Sequence, residues 1–373
     1  MFKSFYSAGF EATASYNQNR DYIHSIQATQ HDRFLEEDYA RLAEIGIFTI
    51  REALNWNEVY AGSRFNPEPL DRILSAARRY EIELILDLFH YDYPQDLDIM
   101  GEEFIDRFAE YCYKVAKHVA ANLEGTPFFT PVNEPSFYSW AAGSASLFRP
   151  YLDDLGYELK VQLIRAAIAG IDGIRTVLPE ARIVNADPLT KVAAPQDRPD
   201  LQEIVEEFNS VWRFESWDIL AGLALPELGG SRAHLDIVGI NYYAVNQWEF
   251  GFRDRALTPD DPRYVPLHQL VQEVYERYRG DLMISETSHV GDWRPGWLEL
   301  IENEVDLLLE KGVPLAGVCL YPVLSMPKWQ NPEEWQHMGL WDLVHEDGVL
   351  HRETNLPFMQ AFEQARGKRA AGN

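Results

Sequence analysis

Short strand-like runs alternate with helix-like ones along nearly the whole chain, and that alternation limits the folds open to it. The strand candidates are residues 5–10, 48–53, 84–89, 128–132, 182–186, 236–242, 282–285 and 316–321. Between them, Phe104, Phe108, Cys112, Val115 and Val119 recur at three- and four-residue steps, as do Val161, Ile164, Ile168 and Ile171. That is the spacing of one buried helix face. Residues 297–311 form a further helix stopped by Gly312 and Pro314, and helices are also expected over 35–45, 69–80, 201–223, 267–279 and 356–364. Eight alternations of this kind predict an α/β chain closed as a single (β/α)8 TIM barrel over residues 1–365, with 366–373 as a disordered polar tail. The longer connections, after Asp187, Tyr243 and Pro322, follow strands and are expected over the face where barrel enzymes collect their chemistry.

Composition narrows the function. The 59 acidic against 33 basic residues give a formal charge of −26, which argues against a broad grip on nucleic acid or an anionic membrane. No run of eighteen apolar residues occurs, and the N-terminal M-F-K-S-F-Y-S-A-G-F lacks an apolar leader core, so a soluble cytoplasmic protein is expected. Cys112 and Cys319 sit in apolar contexts and read as buried thiols. There is no phosphate-binding glycine loop, no G-x-S-x-G elbow and no dinucleotide fingerprint.

Two glutamates carry the chemistry. Glu134 ends the run T-P-F-F-T-P-V-N-E-P and Glu286 ends D-L-M-I-S-E, so each stands where a buried strand gives way to a loop. Paired carboxylates are the minimum for cleaving a glycosidic bond: one protonates the leaving oxygen, the other attacks or guides water. A glutamate among apolar walls keeps its proton at neutral pH, as the acid requires. Asn133, beside Glu134, is placed to bond a substrate hydroxyl. Arg51 in F-T-I-R-E and Tyr243 in G-I-N-Y-Y are strand-end donors for the second carboxylate, although Arg51 on a buried strand also fits a structural ion pair. His90 in L-F-H-Y-D-Y-P reads as a hydrogen-bonded structural histidine or, on the sharper alternative, a zinc ligand. The other histidines show no metal spacing, so neither metal nor cofactor is expected. Trp140, Trp293, Trp329, Trp335 and Trp341 lie in or beside strand-following segments, where indole faces suit sugar rings, Trp329 foremost.

Together these motifs resemble glycoside hydrolase family 1, or a close relative within the clan A retaining hydrolases. G-F-E-A-T-A-S-Y-N-Q is similar to that family's first strand and glycone loop, A-E-I-G-I-F-T-I-R-E-A-L-N-W to its second helix and strand, and L-F-H-Y-D-Y-P to its third strand. T-P-V-N-E-P resembles the acid/base motif; G-I-N-Y-Y and I-S-E-T-S-H resemble the sixth and seventh strands. The resemblance implies that Glu134 is acid/base and Glu286 nucleophile. It implies a sugar subsite lined by Asn133, His90 and Arg51, with Tyr243 holding the nucleophile and Asn17 standing where a glutamine binds hydroxyls. The chain departs from the family at the last strand, where Tyr321 replaces a tryptophan and Lys328, in M-P-K-W, replaces a glutamate before Trp329. An ammonium facing the sugar there would favour an anionic glycone, whereas a lysine turned to solvent would not.

The expected activity is a retaining β-glycosidase acting on a small glycoside by double displacement, with no nucleic-acid or membrane partner and an oligomeric state the sequence leaves open. A transglycosidase uses the same residues. A non-catalytic sugar-binding barrel needs only the pocket, and a metal-dependent barrel hydrolase or isomerase would use His90.

Overall fold

The computed structural model describes residues 2–62 and 64–371. Eight strands close a barrel: β1 Tyr6–Gly9, β2 Thr49–Ala53, β3 Glu83–Asp87, β4 Phe128–Thr130, β5 Arg182–Pro188, β6 Ile237–Asn241, β7 Asp281–Thr287 and β8 Leu315–Leu320. Every neighbouring pair is parallel, and β1 meets both β2 and β8, with Ser7 opposite Thr49 and Cys319. Strands covered on both faces read as continuous apolar runs, which is why eight runs in the sequence became eight staves here.

The strand period of two sorts the side chains between inside and outside. Ile85, Phe128, Val184, Ile237, Met283, Cys319 and Tyr321 form one buried cluster within the barrel, plugged from below by Phe2, whose ring centroid lies 4.9 Å from that of Phe128. Gly9 makes room at the top: a Cβ there would stand 2.3 Å from the Tyr321 ring.

Outside, the helices bury one stripe each. They include α1 His31–Glu44, α2 Glu68–Arg79, α3 Glu102–Asn122, α4 Pro135–Gly143 and α5 Gly156–Val177. On α3 the stripe Phe104, Phe108, Cys112, Val115 and Val119 is fully covered, at about 1.5–3 kcal/mol for each large apolar side chain removed from water. Gly170 of α5 lets the helices approach, since a Cβ there would lie 2.9 Å from Phe108.

Three segments differ from the sequence expectation. The helix expected over 201–223 is broken into α6 Gln202–Ser210, a 3-10 turn and α7 Glu215–Leu220, because Val211 leaves the helical region (φ −120, ψ −65). The connection after β8 holds an antiparallel hairpin, Trp341–Glu346 with Val349–Thr354. The tail is helical instead of disordered: the last helix runs Leu356–Ala371. Its cations have partners, with Arg366 donating to the Ile45 carbonyl, Arg369 2.8 Å from Glu302, and Lys368 on Asp306. Residues 372–373 lie outside the described part.

Candidate active site

β2 supplies the centre of the site. Alternation turns Arg51 inward and Glu52 outward, and the Arg51 guanidinium reaches three elements at once. It donates to Glu286 Oε1 at the end of β7 (2.5 Å), to Asp87 Oδ2 at the end of β3 (2.7 Å) and to Asn133 Oδ1 after β4 (2.6 Å). Arg51 is 1% exposed, and although burial opposes its charge, Asp87 and Glu286 outweigh that and raise its pKa further. Arg51 thus makes the buried ion pair expected of it, with both Asp87 and Glu286.

Glu286 has a donor on each oxygen. Arg51 holds Oε1 and the Tyr243 hydroxyl donates to Oε2 at 2.8 Å. A cationic and a neutral donor, one on each oxygen, fix the orientation of the carboxylate.

Glu134 is treated differently. Its Oε1 accepts from Asn241 Nδ2 (2.9 Å) and its Oε2 from the Tyr91 hydroxyl (3.2 Å), both neutral donors. Burial, then the negative charge of Glu286, push its pKa well above the carboxylate range, against the pull of the Asn241 hydrogen bond. The backbone is strained at both partners: Glu134 has φ 47, and Tyr91, in the loop after β3, has φ 79, both left-handed for non-glycine residues. β5 clamps the turn that presents Glu134. Glu134 N donates to Ala186 O (2.9 Å), and Asp187 accepts from both the backbone and the hydroxyl of Ser136 (3.0 and 2.6 Å), with Pro135 opening α4.

Asn133 and His90 complete the floor. Asn133 Oδ1 is shared between Arg51 and Asn241, while its Nδ2 faces His90 Nε2 and the Tyr91 hydroxyl, each at 3.3 Å. His90 Nδ1 lies 2.9 Å from Asp87 Oδ2. Burial disfavours the imidazolium, but the Asp87 charge outweighs it and raises the His90 pKa above 6.5. The Tyr321 hydroxyl is 3.4 Å from His90 Nε2, and its ring lies under the Arg51 guanidinium at 5.3 Å. Among the described residues, no group of three His, Cys, Asp or Glu side chains is arranged to hold a metal ion.

These groups open into a cavity of about 360 Å³ at the C-terminal ends of the strands. Of the sequence-predicted residues, Glu134, Glu286, His90, Asn133, Tyr243, Tyr321 and Trp329 line it, with Arg51 beneath. Two do not. Asn17 spends its side chain on structure, donating to Trp329 O (2.9 Å) and accepting from Asn19 N and Asp21 N. Lys328 points out of the cavity, because Glu334, six residues on, takes its ammonium at 2.5 Å. Of the five tryptophans only Trp329 lines this cavity: Trp341 is core, Trp335 pairs with Pro327, Trp293 is 72% exposed, and Trp140 lies beneath the Arg253 guanidinium.

Four residues of the site went unassigned in the sequence. Asn241 shares strand parity with Tyr243, and Asp87 closes L-I-L-D, so alternation placed both within reach. Tyr91 was visible only as a flanking ring. Glu11, two residues past β1, gave no signal, yet it is buried and lines the cavity.

An eight-stranded parallel barrel with its polar cluster at the strand C-terminal ends defines the class. The model of glycosyl hydrolase family 1 matches residues 9–220, and the chain belongs to that family. It is 24% identical over 258 residues to an aryl-phospho-beta-D-glucosidase of Bacillus subtilis, covering 60% of this chain and 53% of that protein. It is 27% identical over 143 residues to beta-glucosidase A of Acetivibrio thermocellus, covering 36% and 31%. The matched part is thus about half the length of the first relative and a third of the second. In fold it is similar to a beta-glucosidase from Thermotoga maritima in complex with glucoimidazole, with a TM-score of 0.78 over 98% of both chains at 16% identity. A second structure described as a family 1 b-glucosidase from the same organism gives 0.77, covering 98% of this chain and 97% of that one at 16% identity.

Proposed function

We propose that this protein is a retaining β-glycosidase that removes a terminal sugar from a small β-glycoside without metal or cofactor. The observation that carries the reading is the unequal treatment of two carboxylates facing one cavity. Glu286 is held by a cation and a phenol, whereas Glu134 has only neutral donors and is pushed toward its protonated form.

In the first step Glu286 attacks the anomeric carbon while Glu134 gives its proton to the departing oxygen, forming a covalent glycosyl-Glu286 and a free alcohol or phenol. Loss of the Glu286 charge then lowers the Glu134 pKa, because that charge is one of the causes that raise it. Glu134 is thereby ready to take a proton from water, which attacks the same carbon and releases the sugar with its configuration retained. Tyr243 orients Glu286 throughout, and Asn133 is placed to bond a hydroxyl beside the reacting carbon. The buried thiols Cys112 and Cys319, the latter pushed up to about 12 by burial, are consistent with a reducing cytoplasmic compartment.

Glu286→Gly is expected to abolish turnover of aryl β-glycosides and to regain it with azide, giving the inverted glycosyl azide. Glu134→Ala is expected to keep the first step only for substrates with very good leaving groups, which need no protonation. Azide rescue giving the β-azide in Glu286→Gly, or no difference between the two variants, overturns the assignment.

A further inference from the structure

We propose that Glu11 selects the sugar: its Oε2 accepts hydroxyls of a neutral, unphosphorylated glycone at the end remote from the anomeric carbon. The proposal rests on the glycosidase reading above and deepens it.

The carboxylate is buried and only half used. Glu11 is 5% exposed. Its Oε1 accepts from Thr13 N at 3.0 Å, from Trp329 Nε1 at 3.3 Å and, at the limit, from Ser25 Oγ at 3.5 Å. Oε2 accepts from none of the described residues, and the side chain borders the cavity. Trp329 is itself fixed, packed 5.7 Å from both Phe137 and Phe148, so its indole N–H holds the carboxylate in one orientation. An oriented carboxylate oxygen that opens on the cavity with free lone pairs is ready to accept a donor, and a sugar hydroxyl supplies one. Its place in the barrel says which end of the sugar. Glu11 follows β1 and is tied to Thr13 and Trp329, sharing no hydrogen-bond partner among the described residues with Glu134 or Glu286, so it is placed apart from the pair that flanks the reacting carbon.

Charge decides the substrate class. Among the described residues three carboxylates, Glu11, Glu134 and Glu286, border the cavity, and no lysine or arginine does. Arg51 beneath is committed to Glu286, Asp87 and Asn133, and the His90 ring is matched by Asp87. Lys328, the one nearby ammonium the sequence offered to an anion, is taken by Glu334 outside. A phosphate is held by arginine or lysine, and beside Glu11 it would meet repulsion instead.

The test uses the p-nitrophenyl β-D-glucoside and β-D-galactoside, their 6-phosphates, and the glucosides deoxygenated at positions 3, 4 and 6. The wild type is expected to prefer the neutral sugars, with kcat/KM for each phosphate about 10- to 100-fold lower. Glu11→Gln is expected to lose about 10-fold or more on the neutral parent, and to lose less on the deoxy analogue whose hydroxyl meets Oε2. Lys328→Ala is expected to change neither class. A wild type that prefers the 6-phosphates overturns the proposal. So does a Glu11→Gln loss equal on every deoxy analogue, which marks a purely structural carboxylate. Calorimetric titration with a neutral nojirimycin and its 6-phosphate reads the site without turnover. Neutral binding that depends on Glu11 in a protein that hydrolyses none of the glycosides supports this inference and overturns the glycosidase reading. Tighter binding of the phosphate overturns the inference whatever the turnover.

Discussion

Arg51 and Glu52 are chain neighbours on β2, yet they belong to two buried charge networks on opposite faces of the barrel wall. Outside, His31 joins Asp38 (2.8 Å) and Glu52 (3.1 Å), Arg352 is bidentate to Asp38 (2.7 and 2.8 Å), and Tyr39 donates to Glu52 (2.8 Å). Two cations face two anions. Burial disfavours charge there, but the partners win: the His31 imidazole is pushed up to about 9, and the Asp38 carboxyl is held below its usual range by Arg352 and His31. Inside, Arg51 and His90 face Asp87, Glu286 and Glu134, with Glu11 beyond. The acids outnumber the cations, and the excess falls on Glu134. Burial is alike in the two networks. The difference is balance: a matched network stabilises the fold, whereas an unmatched one holds a proton it is ready to give away.

Exchanging single acids should separate the two. Glu134→Gln is expected to lower kcat/KM on glycosides with poor leaving groups by about 10²–10⁴-fold, with a denaturation midpoint no lower than wild type, since it removes a carboxyl whose ionisation the folded site disfavours. Steady-state rates and urea titration check this, and a destabilised variant would show that the inner network is matched after all. Asp38→Asn is the mirror image. It leaves Arg352 and His31 short of a partner and is expected to cost about 3–5 kcal/mol of stability by urea unfolding, with unchanged rate per folded molecule.

The pH profiles sharpen the contrast. The alkaline limb of kcat/KM should follow Glu134, active while protonated, and Asp187→Asn should move that limb to lower pH, because the Asp187 charge helps to raise the Glu134 pKa. An unmoved limb would assign it to another group. For the outer network the sign differs. The folded His31 pKa lies above its unfolded value, so its stabilisation is full below about pH 6.5 and fades as pH rises through about 9. His31→Gln should flatten the stability curve between those pH values, the smallest of the four effects, read as urea midpoints across the pH range.

The sequence made the barrel legible because parallel strands buried on both faces leave continuous apolar runs, and the polar residue ending such a run marks the active face. Arg51, His90, Asn133, Glu134, Tyr243 and Glu286 were readable for that reason. Loops hid the rest. Asn17 and Glu11 lie close together in one segment, and which of them turns inward depends on contacts with Trp329 more than 300 residues away. Lys328 looked like a substrate group until Glu334, a local partner, claimed it. The hairpin after β8 had its signal in E-D-G-V, since Asp347 and Gly348 take φ 49 and 80, the pair of positive angles a two-residue turn demands. The final helix was expected over 356–364, and only its extension past that was hidden, because the acids that hold Arg369 and Lys368 come from residues 302 and 306.

The left-handed backbone at Glu134 has an evolutionary consequence. Glycine would occupy φ 47 without strain, and losing the carboxyl would also remove a group whose ionisation the folded site disfavours, so stability alone pulls this position away from glutamate. Tyr91, at φ 79 and hydrogen-bonded to it, is under the same pull. In a lineage released from selection for turnover, drift should erase this pair early, while the matched network around Asp38 persists for as long as the barrel must fold.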